Sequence, residues 1–199
     1  GIIGTGGIAH AFAGDLAWAQ AGQLTAVASR SQQRADDFAA EYDLSKAYGS
    51  YEELAADEEV DVIYIATPHR FHYENTLMCL DQDKAVLCEK PIAVNSKQLK
   101  EMVDKAKQNN LFLMEALWTY CLPPIIKAQE WIAAGKIGEV KAVEANFGIR
   151  RDIDPQGRLF NPELAGGSLL DVGIYPIALA KLIIDGEVET IKALGKLGT

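Results

Sequence analysis

The residues with the clearest chemical meaning lie near the amino end. Gly4-Thr5-Gly6-Gly7-Ile8-Ala9 has the form G-x-G-x-x-A, directly after an apolar run and directly before residues at helical spacing. Gly4 permits a tight turn, Gly6 lets the backbone approach a pyrophosphate, and Ala9 lets a helix pack close to a sheet. The free N–H groups around the helix start, from Thr5 through Gly7 to Ile8, then face the anion. An ordinary glycine turn carries similar letters, but here the strand-before, helix-after context that the motif requires is present.

About twenty residues after such a turn, an NAD site places a carboxylate against the ribose 2′-hydroxyl. This chain has Ser29-Arg30-Ser31 there, with Arg34 one helical turn on. A small hydroxyl beside guanidinium groups fits a 2′-phosphate through charge-assisted bonds. NADP rather than NAD is therefore the expected cofactor. The plainer alternative is a solvated surface arginine.

Other reactive side chains carry less. Cys79, Cys88 and Cys121 are odd in number and form no C-x-x-C pair. They suit reduced, partly buried thiols and argue against a zinc site or a disulfide frame. His10, His69 and His72 have no carboxylate at ligand spacing, so no metal is expected. They read as polar loop or helix-start residues. The thiols, and the lack of a signal-peptide pattern at the start, make the cytoplasm the expected location.

These residues need elements to hold them. Ile8, Ala9, Phe12, Ala13 and Leu16 recur at helical spacing, followed by a strand-like run over 24–28. Ser31 can cap a helix whose apolar face is Ala35, Phe38, Ala39 and Tyr42. Ser50-Tyr51-Glu52-Glu53 is a capping-box signature ahead of Leu54. Buried strands are predicted over 60–66, 85–88 and 111–114, with a helix capped by Asn95 or Ser96 between the last two. Apolar strands separated by amphipathic helices predict a doubly wound parallel sheet covered on both faces.

After Trp118 the texture changes, which places a domain boundary near 115–120. Pro123-Pro124 marks a helix start, with Ile125, Ala128, Trp131 and Ile132 on its buried face. A strand is predicted over 139–148, a polar loop over 149–167 and a helix over 168–184.

Apolar residues make up 49% and charged residues 24% of the 199, which excludes a disordered or collagen-like chain. The net charge of −9 opposes a nucleic-acid backbone or an anionic membrane as main partner. Gly, Pro and polar residues break the uncharged stretches, so no membrane span is expected. The chain opens without Met, in a strand that reads as missing its first residues. It ends in a strand-like segment from Glu187 to Thr199 with nothing to cover it. It therefore reads as a fragment of a longer chain.

Three further segments add to the glycine turn. Ala66-Thr67-Pro68-His69-Arg70-Phe71-His72 follows one predicted strand, and Glu89-Lys90-Pro91 follows the next. Gly166-Gly167-Ser168-Leu169-Leu170-Asp171-Val172-Gly173-Ile174-Tyr175 opens the late helix. Together they resemble the Gfo/Idh/MocA family of NAD(P)-dependent oxidoreductases across essentially the whole chain. Met114-Glu115-Ala116-Leu117-Trp118-Thr119 and Tyr175 are most similar to the branch of dimeric dihydrodiol dehydrogenase and NADP-dependent D-xylose dehydrogenase.

The resemblance implies an α/β chain with a Rossmann domain over 1–117. Over 118–199 it implies part of a substrate domain built on a mostly antiparallel open sheet, commonly used for homodimerisation. It implies catalytic roles for Lys90, Asp171 and Tyr175, and cofactor contacts from Thr67, Pro68, His72, Glu89 and Lys90. Trp118 and Phe147 match aromatic positions that line the substrate pocket. Tyr120 departs from the branch, which often has Arg there. Asp171 and Tyr175 also stand four apart, so a helix would put them on one face despite Gly173 and Pro176.

The expected activity is NADP-dependent hydride transfer at a carbinol carbon of a sugar, cyclic polyol or dihydrodiol. The competing function is a non-catalytic sensor that binds a dinucleotide and a sugar. The presence of both Lys90 and Tyr175 favours the enzyme. A third possibility is a relative that keeps its cofactor and exchanges redox equivalents between two sugars.

Overall fold

Alternate side chains of the strands point to opposite faces, and the burial follows that period. Ile2, Val27 and Tyr64 pack on one side with Ala9, Ala13, Ala35 and Phe38. Ile3, Ala28, Ile63 and Ile65 pack on the other with Leu54, Ala55, Leu80 and Ala106. Burying each such aliphatic side chain contributes about 1.5–3 kcal/mol, so a sheet with two apolar faces demands helices on both.

The computed structural model describes residues 1–20, 22–184 and 186–195. The strands are β1 (Ile2–Ile3), β2 (Ala26–Ala28), β3 (Lys46–Tyr48), β4 (Val62–Ile65), β5 (Ala85–Glu89) and β6 (Leu113–Ala116). They form one sheet in the order β3-β2-β1-β4-β5-β6, and every pairing is parallel. Helices α1 (Gly7–Leu16) and α2 (Gln32–Glu41) cover one face. Helices α3 (Tyr51–Ala55), α4 (His72–Asp81) and α5 (Ser96–Gln108) cover the other. The order reverses between β1 and β4, and in such sheets ligands bind at the carboxyl ends of the strands there.

Local signals account for most boundaries. Ser50 Oγ accepts the Glu53 N–H at 3.2 Å and Asn95 Oδ1 accepts that of Gln98 at 3.0 Å, so both caps form. Ser31 holds the cap position of α2, but its side chain makes no capping bond. No apolar run announces β3. It is a half-buried edge strand whose Lys46 pairs with Asp57, and a charged edge of this kind resists pairing with other chains.

Beyond residue 117 three expectations need correction. Helix α6 (Pro123–Ala133) starts at the proline pair, but none of its side chains is fully buried, and Trp131 is exposed. The strand expected over 139–148 has no ladder: among the described residues no second strand lies beside it, and a strand exists only through its neighbours' hydrogen bonds. The antiparallel sheet is likewise absent among the described residues. Residues 187–195 carry no regular structure, and 196–199 lie outside the described residues.

The late helix begins as a π-turn over Leu169–Gly173 and continues as α7 (Ile174–Ile183). Pro176 falls just after the change, where its missing N–H interrupts least. Pro162–Ile183 is by length and composition apolar enough to cross a membrane, contrary to the expectation. It is not one helix, however. Ala165 and Gly167 have φ of +57° and +128°, which breaks the segment. The five-residue π-turn and ten-residue α7 together span on the order of 22 Å, short of a hydrocarbon core of about 30 Å.

Candidate active site

The site begins where β1 ends. Gly4 turns with φ of +99°, and a Cβ there would sit 2.9 Å from the Ala66 carbonyl oxygen. Conformation and space both demand glycine. Gly6 precedes α1, and a Cβ on Gly6 or Gly7 would meet nothing within 4 Å. The protein's own packing does not require those two glycines. They leave open room above the unpaired N–H groups of the first helical turn, the shape a diphosphate needs.

A cleft of about 1180 Å³ runs from this turn, with Thr5, Gly7 and Ile8 in its wall. Ser29, Arg30 and Arg34 line it at the end of β2. Ser29 is buried and donates its N–H to Tyr48 O at 3.1 Å. The Arg30 guanidinium lies 5.7 Å from the Phe71 ring centroid. The carboxylates among the described lining residues, Glu89 and Asp171, belong to the β5 end. Among the described residues, no acid lines the cleft beside Arg30 and Arg34.

Thr67 and Pro68 line the cleft after β4, and Thr67 Oγ1 accepts from Asn75 Nδ2 at 3.0 Å. His72 does not reach it. Its ring is fully buried, with Nδ1 2.7 Å from Pro91 O and Nε2 2.8 Å from Thr67 O. Burial pushes its pKa down. It ties the loop after β4 to the one after β5 and does not line the cleft, where the resemblance implied a cofactor contact.

Glu89 closes β5 with a half-buried carboxyl, which loss of solvent pushes above the usual carboxylate range. Its Oε1 accepts the Tyr64 hydroxyl at 2.5 Å and its Oε2 the Lys90 N–H at 3.1 Å. The Lys90–Pro91 peptide is cis. The Lys90 ammonium donates to the Asp171 backbone oxygen at 2.6 Å and to Oδ1 at 3.2 Å. It also stands 5.2 Å from the Tyr175 ring centroid. Tyr175 OH accepts from Trp118 Nε1 at 3.4 Å, and the Phe147 ring meets it edge-on at 5.3 Å. Lys90, Asp171, Tyr175, Trp118 and Phe147 thus converge on one wall of the cleft. Tyr120 is not among its lining residues.

Two neighbours of Asp171 were not expected. Arg158 Nη1 donates to Asp171 Oδ1 at 3.1 Å, and His69 Nε2 lies 3.8 Å from the same oxygen. Burial pushes His69 down to about 4, so it is neutral near pH 7. His69 was findable, since it directly follows Thr67-Pro68 at a strand's carboxyl end. Arg158 had no such signal, since it is one of three arginines, with Arg150 and Arg151, in a loop without regular spacing. Arg150 and Arg151 also line the cleft. Asp171 itself is raised by burial, but the bond from Arg158 and the charge of Lys90 outweigh that and hold it below the usual carboxylate range.

Comparisons with known proteins give the family. Residues 1–117 match the model of an oxidoreductase family with an NAD-binding Rossmann fold, GFO_IDH_MocA, and residues 125–198 match the GFO/IDH/MocA C-terminal domain. Trans-1,2-dihydrobenzene-1,2-diol dehydrogenase of Sus scrofa is 45% identical over 87% of this chain and 52% of its own length. D-xylose 1-dehydrogenase (NADP(+)) of Hypocrea jecorina is 43% identical over 89% of this chain and 50% of its own. A 3-ketoreductase from Actinomadura kijaniata, solved with NADP and TDP-benzene, superposes with a TM-score of 0.84 at 30% identity, covering 92% of this chain and 56% of its own. The chain spans about half the length of the curated relatives it matches. With its glycine turn, strand order and both halves matched, the chain belongs to the Gfo/Idh/MocA family of NAD(P)-binding oxidoreductases.

Proposed function

We propose that the protein is an NADP-dependent dehydrogenase or reductase acting at a CH–OH carbon of a sugar, cyclic polyol or dihydrodiol. The observation that carries this is the meeting of Lys90, Asp171 and Tyr175 in the cleft that the glycine turn opens. The names of the dihydrodiol and xylose dehydrogenases support the substrate class. Arg30 and Arg34, which line the cleft with no acid lining it beside them among the described residues, support the 2′-phosphate, as does the NADP(+) in the second relative's name.

The residues present fit the cofactor. The turn from Gly4 to Ile8 would hold the diphosphate on backbone N–H groups, and Ser29, Arg30 and Arg34 the 2′-phosphate. Thr67, Pro68 and Glu89 would wall the remaining length. A bound nicotinamide supplies or accepts the hydride. Lys90 hydrogen-bonds the substrate oxygen and offsets charge that builds there. Tyr175 gives or takes the hydroxyl proton. Asp171 holds Lys90 in place, and Trp118 and Phe147 pack edge-on against the Tyr175 ring and hold its orientation. His72 acts from a distance by fixing the backbone of Thr67 and Pro91.

We assign 1–117 to the dinucleotide and 118–199 to the start of a substrate and dimerisation half with a mostly antiparallel sheet. Half-buried Val143 and Ala145 between exposed neighbours keep the alternation such a strand needs. Homodimerisation through that sheet and a cytoplasmic location, with three free cysteines, belong to the same proposal.

The test is a screen of sugars, polyols and dihydrodiols with NADP and with NAD, following reduced-nicotinamide absorbance. NADP-dependent turnover of one class supports the proposal. Tight dinucleotide binding without turnover of any would favour the sensor instead.

A further inference from the structure

The loop before Gly166 is built to a tight fit. A Cβ on Gly166 would lie 2.9 Å from Arg158 O and 2.8 Å from Asn161 O, so only glycine lets the loop come this close. Gly166 N–H donates to Asn161 O and Gly167 N–H to Leu159 O, both at 2.9 Å. Asn161 Oδ1 in turn accepts the Glu163 N–H at 2.9 Å. The backbone of Arg158 is thereby pinned to the segment that carries Asp171. Among the described residues, the one ion pair of Arg158 is the one with Asp171.

We propose that Arg158 is a positioning residue of this site: it fixes the Asp171 carboxylate, and through it the Lys90 ammonium. This rests on the role given to Lys90 above. A single oxygen, Asp171 Oδ1, lies 3.1 Å from Arg158 Nη1 and 3.2 Å from Lys90 Nζ. One anion therefore bridges two cations that would otherwise repel. The charged and titratable groups facing it are Lys90 from the end of β5, His69 from the turn before α4 and Arg158 from its loop, with Glu89 and Tyr175 beside Lys90. His69 is neutral near pH 7 and does not compete for the carboxylate. Without Arg158 the carboxylate keeps one cation, and both its rotamer and its ionisation loosen.

The experiment compares Arg158→Gln and Arg158→Lys with the parent protein by carbon NMR of labelled aspartate carboxyls. The Asp171 signal is assigned by its loss in Asp171→Asn. In Arg158→Gln the Asp171 midpoint should rise by about one unit, a tenfold gain in proton affinity. Turnover should fall on the order of 10²-fold, as expected for a misplaced catalytic group, with KM for NADP little changed. Arg158→Lys keeps the charge and should restore the low midpoint and most of the turnover. An unmoved midpoint in Arg158→Gln overturns the proposal. So does a lysine variant as slow as the glutamine one, which would assign Arg158 to the fold of its loop. If the glutamine variant does not fold, the lysine arm decides alone. The titration needs no substrate, so absence of turnover in the parent protein would sink the proposed reaction while leaving this inference to be judged separately.

Discussion

Among the described residues, 1–117 hold 24 of the 25 buried apolar side chains, whereas 118–195 contribute only Ala178. The first region is held by its own core. The second meets it through polar and aromatic contacts around the cleft: Lys90 with Asp171, Trp118 with Tyr175, and Arg70 with the Glu163 carbonyl at 3.2 Å. Stability and chemistry are therefore carried by different residues, even where the same cleft joins them. A substitution at a cleft side chain should change turnover more than stability, and one in the core of 1–117 should do the reverse.

The largest expected effect lies on the chemical side. Tyr175→Phe should lower kcat by about 10²–10⁴, the usual range for a general acid–base group, and Lys90→Met at least as much. Tyr175→Phe should leave the thermal midpoint and the affinity for NADP nearly unchanged. Steady-state kinetics beside a cofactor titration checks this. Near-normal turnover in Tyr175→Phe would require another proton donor and would blur the contrast between the regions.

Next comes the core. Ile63 is fully buried under α3 to α5, so Ile63→Ala should cost about 2–5 kcal/mol of stability in urea unfolding. Ile126 on α6 is 43% exposed, and Ile126→Ala should stay within about 0.5 kcal/mol. Similar losses at both positions would erase the distinction drawn here.

A smaller effect sharpens the cofactor end. Arg30→Ala should weaken NADP binding by about one to two decades, since hydrogen bonds to charged groups contribute roughly 1.5–3 kcal/mol. NAD binding should hardly change. Equal losses for the two dinucleotides, measured by fluorescence titration, would make Arg30 a residue of the fold.

The smallest concerns acid. Asp57 accepts Lys46 Nζ on both oxygens, at 2.9 and 2.8 Å, which holds its carboxyl down at about 2. A depressed carboxylate contributes stability that is complete above its unfolded value of about 3.9 and lost as pH falls through about 2. Urea midpoints measured between those values should fall in the parent protein and fall less in Asp57→Asn. Parallel pH curves for the two would remove Asp57 as a source of acid sensitivity.

The sequence was most informative where structure is local. The glycine turn, the caps at Ser50 and Asn95, and the two-faced strands all follow from residues a few positions apart. So did the motifs, because β5 delivers Lys90 and the late helix delivers Asp171 and Tyr175 to the same sheet edge. Elements without a local pattern were missed, as with β3, which is a short charged edge strand. Others were misread: 139–148 has the right alternation, yet no neighbouring strand stands beside it.

Motif and periodicity by themselves determined the Rossmann half of the α/β fold and the glycine turn that opens α1, since each depends on backbone geometry within one or two turns of chain. Only the tertiary structure decided that His72 is sealed between two carbonyls, and that Arg158 and Lys90 share one oxygen of Asp171. Lys90 and Asp171 are separated by 81 residues. Their meeting depends on how the chain returns across the sheet edge, and no spacing along a sequence records the distance between segments that only folding brings together.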